Sequence, residues 1–100
     1  MSRKPPKAYT DFIASYPQLG EAWEKAREQE VDGPLDERTR RLVKLGIAVG
    51  CMRQGAVSSA ARKARGAGAS EEEIRQVVAL AASTLGFPST VAVFTWIDEG

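Results

Sequence analysis

The run Gly66 to Ile74, "GAGASEEEI", constrains the local structure more tightly than any other stretch of the chain. Ser70 and Glu73 stand in the register of a capping box, in which the hydroxyl accepts from the amide three residues on and the glutamate reaches back. The glycines before it suit the end of a preceding helix, and the three carboxylates suit the positive first turn of the next. Ile74, Val77, Val78, Ala81 and Leu85 follow at helical spacing, which predicts a helix from about residue 71 to Gly86. Phe87-Pro88 forms a joint, and a last helix is expected from about Ser89, carrying Val91, Val93, Phe94, Trp96 and Ile97. That segment is apolar on more than one side, more than a lone 100-residue monomer easily covers, which points to self-association.

The same periodicity extends toward the amino terminus. Phe12, Tyr16, Leu19, Trp23 and Ala26 make one apolar stripe. Pro17 cannot sit mid-helix, so the pattern divides into a short helix near 8 to 15 and a longer one from Pro17, with Ser15 as its expected cap. Asp32 to Pro34 is a turn signal, and Asp36 fits the N-cap of a helix running through Leu42, Leu45, Gly46 and Val49 toward Cys51. Gly46 and Gly50 weaken a helix, which predicts close approach by a neighbour there. A further helix covers about 54 to 65 with a thin face of alanine and serine. No stretch alternates in the manner of strands and hairpins, so the chain should be all-α, with about five to six helices. Residues 1–7, with Pro5 and Pro6, read as a loose arm, and residues 8–100 as one domain.

Composition bears mainly on chemistry. The net charge of +1 gives no drive toward nucleic acid or an anionic membrane, and no apolar run approaches the ~20 residues that span a bilayer. The start, "MSRKPPKAYTDF", lacks the apolar core of a secretion signal, so cytoplasm is the expectation. Basic residues cluster at Arg38, Arg40, Arg41 and Lys44, and again at Arg62, Lys63 and Arg65, and read as solvated helix faces. The chain has no histidine and one cysteine, Cys51. A Ser-His-Asp triad, a Cys-His pair, a His-ligated metal and an intrachain disulfide are thereby excluded, and no metal or cofactor is expected.

The runs "GPLDERTRRLVKLGIAVG" and "ARKARGAGASEEEIRQVVALAASTLGFPSTVAVFTW" resemble, in order, the carboxymuconolactone decarboxylase family, which includes the alkylhydroperoxidase-D-like proteins. The likeness covers about residues 34 to 97 and is most specific at Ala64 to Ile74 and at Gly86-Phe87-Pro88. It implies an all-helical fold built around a helical hairpin and assembly as a trimer or hexamer. It also implies peroxidase-like chemistry through a glutamate, a Cys-x-x-Cys pair and a histidine. Counted back from the Gly-Ala-Ser anchor, those four positions hold Arg41, Arg53, Ala56 and Ala60. Placing Cys51 at the first cysteine puts Gln54 and Ser58 at the other two and breaks the spacing to Gly68. Dithiol peroxide chemistry needs an attacking thiolate, a resolving thiol and a base, and this chain has one thiol and no histidine. In the decarboxylase branch, which "LDERTRRL" resembles, the histidine falls on Ala60.

Three readings of the site follow. The first is a member without redox residues that binds or scaffolds. The second is an arginine-assisted lyase or isomerase, in which Arg40, Arg41, Arg53 and Gln54 hold a small carboxylated ligand. The third is a single-cysteine redox protein using Cys51, which could equally be a small buried residue near a helix end. Ser58 is a nucleophile candidate only if Lys44 or Lys63 serves as its base, and serines among alanines more simply let helices approach. Glu71 to Glu73 are accounted for by capping and the helix dipole.

Overall fold

A computed structural model describes residues 5–99. Among these residues all regular structure is helical, in seven segments: α1 (Lys7–Ser15), α2 (Pro17–Glu30), α3 (Glu37–Gly50), α4 (Gln54–Gly66), α5 (Glu71–Leu80), α6 (Ala82–Leu85) and α7 (Phe87–Trp96). The chain divides at Pro34 into two compact units. Of the expected arm, residues 1–4 lie outside the described residues, and Lys7 already opens α1.

The first unit is α1 and α2. Pro17 occupies the first position of α2, where its missing N–H costs nothing, and the break falls at Tyr16 as the sequence predicts. Ser15 does not cap α2. Its hydroxyl donates backward to the Asp11 carbonyl at 3.0 Å, a bond that ties it to α1, and Tyr16 takes the cap position without a side-chain bond. The helices approach closely at Gly20, where a Cβ would lie 2.8 Å from Ile13 Cγ2. Gly20 is the one buried residue of the two helices.

The second unit is built on the α3–α4 hairpin, with α5 and α7 packed against it. Asp36 Oδ1 accepts from the Thr39 amide at 2.8 Å, the cap that the sequence indicates for α3. The hairpin turns through Cys51, Met52 and Arg53, with Met52 in the left-handed region at φ 55°. α4 closes in a Schellman motif: the Ala69 amide donates to Ala64 O and the Gly68 amide to Arg65 O, both at 3.0 Å, with Gly68 at φ 94°. Ala64 and Ala69 are both buried, which supplies the apolar contact that usually accompanies this motif. The capping box at Ser70 and Glu73 then opens α5 with both of its hydrogen bonds made.

Leu45, Val49, Val57, Ile74, Val78, Val93 and Ile97 form the fully buried core, with Ala61 and Ala64 letting α4 lie close. Two details depart from the sequence reading. The helix expected to run unbroken to Gly86 breaks at Ala81, whose amide turns tightly to Val78 O, and resumes as α6. The last helix starts at Phe87, two residues early, because Pro88 is accommodated within its first turn and Gly86 takes the cap position at φ 86°, ψ 159°. Gly50 has nothing within 4 Å of where a Cβ would stand, so no neighbour requires it to be small; at Gly46 the nearest atom is Val77 Cγ1 at 3.7 Å, an ordinary contact.

Charged side chains lace the outside of this unit. Arg38 pairs with Glu73, joining α3 to α5, and Arg65 reaches both Glu71 and, at 3.3 Å, Asp98. Bonds from the Thr39 amide to Asp36, from the Ser70 amide and Arg38 to Glu73, and from Arg65 to Glu71 hold these three carboxyls below their ordinary range. Their folded values are depressed, so their contribution is present above the unfolded range of about pH 4 and is lost as pH falls through the folded values. With no histidine to titrate, stability measured by chemical denaturation should be level between about pH 6 and 8 and decline in acid below about pH 4. Glu73→Gln should flatten that acid decline, and a slope identical to the parent's would contradict the assignment.

Candidate functional site

The second unit carries an open apolar groove of about 430 Å³ between α3 and the α5–α6 pair. From α3 it is lined by Thr39, Leu42, Val43 and Gly46, residues spaced at one and two helical turns and therefore on one face. Val77, Leu80, Ala81, Thr84 and Leu85 line the other wall with the same periodicity. Sequence periodicity marks Val77, Ala81 and Leu85 as buried, yet they are only half-buried, because their stripe is wider than the core and its remainder forms this wall. Leu80 is 69% exposed and Val43 49%, both at the mouth. Thr39, Val43, Leu80 and Thr84 belong to no motif; their only trace in the sequence is the excess of apolar residues on α3 and α5 over what one core face needs.

None of the sequence-predicted site residues lines the groove. Cys51 is exposed at the C-cap of α3, so the reading as a buried small residue does not hold. It closes an exposed hairpin turn, and the buried contacts of that hairpin come from Val49 and Val57 on either side. Arg53 is the N-cap of α4 and exposed, and Arg41 is half-buried in the first half of α3. Arg40 donates from Nη1 to the Leu35 carbonyl at 2.7 Å, tying down the strand of chain that enters α3. Gln54 Nε2 donates to Glu99 Oε2 at 2.5 Å.

Ser58 is buried, and its hydroxyl faces two carbonyls, Trp96 O at 2.9 Å and Gln54 O at 3.1 Å. The single hydroxyl proton is thus engaged with backbone, joining α4 to the end of α7. That is a packing role. Ala56 is exposed in the first turns of α4, and Ala60 packs against the core. Among the described residues no group of three or more carboxylates and cysteine is placed to hold a metal ion, and no helix is long and apolar enough to cross a membrane.

This all-helical hairpin architecture, with its Schellman end and capping box at residues 64–74, defines a class of helical-hairpin proteins, and comparison with known sequences identifies it. The profile of the carboxymuconolactone decarboxylase family matches residues 17–99, and the chain belongs to that family. No curated protein and no solved structure matches it.

Proposed function

We propose that this protein is a binding and assembly member of the carboxymuconolactone decarboxylase family that works without dithiol redox chemistry. It works as a cytoplasmic homo-oligomer, a trimer or hexamer by resemblance to the family. The observation that carries this reading is the mismatch between cavity and chemistry: the groove is walled by aliphatic side chains and two threonines, while thiol, serine and guanidinium groups lie elsewhere. A groove of that kind recognises apolar surface, and its two threonine hydroxyls have no histidine, carboxylate, lysine or thiol beside them in the lining to activate them. The unburied Phe87, Val91 and Phe94 of α7 add apolar area suited to contact between copies.

Two measurements test the proposal together. Alkyl hydroperoxide should not be consumed above background in the presence of a thiol reductant, and Cys51→Ser should change nothing. Sedimentation should show an oligomer at micromolar protein. Turnover abolished by Cys51→Ser would replace this reading with the single-cysteine redox one, and a monomer would remove the assembly half.

A further inference from the structure

The first unit carries an apolar stripe that its own residues leave open. Phe12, Tyr16, Leu19 and Trp23 are each about half exposed. Two short helices whose only buried residue is Gly20 are marginal in water and need cover from outside. The groove of the second unit has the complementary deficit, two helical walls with a trough between them that a third helix would fill.

Length, floor and charge make the match specific. Leu19, Trp23 and Ala26 share one face of α2 over about 10 Å, and the α3 wall from Thr39 to Gly46 spans about the same distance. Gly46 gives that wall a bare patch, although a methyl there would meet Val77 only at an ordinary 3.7 Å; the glycine therefore widens the groove without being demanded by α3–α5 packing. The sequence of α2 holds four carboxylates, Glu21, Glu24, Glu28 and Glu30, against Lys25 and Arg27. That of α3 holds Arg38, Arg40, Arg41 and Lys44 against Glu37, and with Arg38 paired to Glu73 of α5 the helix still keeps a net positive charge. Two grooves set face to face would oppose two cationic helices, whereas α2 brings the opposite net charge.

We propose that the α3/α5–α6 groove of one copy receives the Leu19–Trp23 face of α2 from a second copy, with Trp23 as the anchoring side chain. The proposal rests on the assembly reading above and adds to it the identity of the contact. A large amphipathic ring entering an aliphatic trough is the kind of contact that concentrates binding energy at an interface. Each copy then offers one helix and one groove, and the exchange can close into a ring or a reciprocal pair.

The test uses the full chain with a benzophenone-bearing phenylalanine at position 23, mixed as heavy-nitrogen and ordinary protein and irradiated. Cross-linked peptides joining heavy to light chains, with their targets in residues 39–46 or 77–85, are the expected result. Leu80→Glu, at a 69% exposed site where folding does not depend on the side chain, should cut those heavy–light products at least about tenfold by setting a carboxylate against the acidic helix. Products confined to single chains would overturn the proposal. Heavy–light products mapping outside the groove would overturn it while leaving assembly intact, and a monomer giving none would remove both readings.

Discussion

Ile74→Ala should destabilise the fold by about 2–5 kcal/mol, the cost of emptying a fully buried aliphatic site that its surroundings only partly refill. Ile74 is the first apolar residue after the capping box and lies at 0% exposure in the cluster shared by α3, α4, α5 and α7, so the cavity would open where those elements meet. Domains of this size are stable by only ~5–15 kcal/mol, and the loss is therefore a large share of the total. Urea denaturation followed by circular dichroism would measure it, with Ile47→Ala on the exposed face of α3 as the comparison, expected within about 0.5 kcal/mol. A cost below about 1 kcal/mol for Ile74→Ala would mean that Ile74 is not packed as described.

Gly86→Ala carries the second large effect and tests a different cause. At φ 86°, ψ 159° the backbone occupies a region essentially reserved for glycine, and nothing lies within 4 Å of where a Cβ would stand. The whole penalty should thus be backbone strain, about 1–3 kcal/mol, without any steric clash with a neighbour. The residue also takes the N-cap position of α7, and its carbonyl accepts from the Thr90 hydroxyl at 2.8 Å, so relaxing φ would disturb the start of that helix. A fall of several degrees in melting temperature is the expected reading, since ~1 kcal/mol shifts the midpoint by about 4–8 °C in a small domain. An unchanged melting temperature would show that α7 can start from another conformation.

Local punctuation was the most legible layer of this sequence. Pro17, Asp36, the glycine-rich end of α4, and Ser70 with Glu73 each act on the few residues around them, and each sits in the structure where its chemistry demands. Ser15 shows where such reasoning stops: a serine beside a helix start can bond forward as a cap or backward to its own helix, and only the geometry at Tyr16 decides. The break at Ala81 had no sequence signal, since alanine is the best helix former.

The candidate site was less legible, for a reason that lies in the residues. Motif arithmetic directs attention to Arg41, Cys51, Arg53, Gln54 and Ser58, because chemistry is written in polar side chains. An aliphatic groove is written in ordinary core residues, and Leu42, Val77 and Leu85 look the same in a sequence whether they face the core or a trough. What separates them is the width of the stripe set against the core actually available, a quantity that needs the helices placed.

The two tryptophans fall one to each unit, Trp23 half exposed on α2 and Trp96 packed against the core beside the Ser58 hydrogen bond. The molecule therefore comes with two optical reporters in unlike surroundings, one watching a surface and the other the closing of a core. With either indole replaced by phenylalanine, the emission of the remaining one follows a single unit through titration or denaturation without any attached dye.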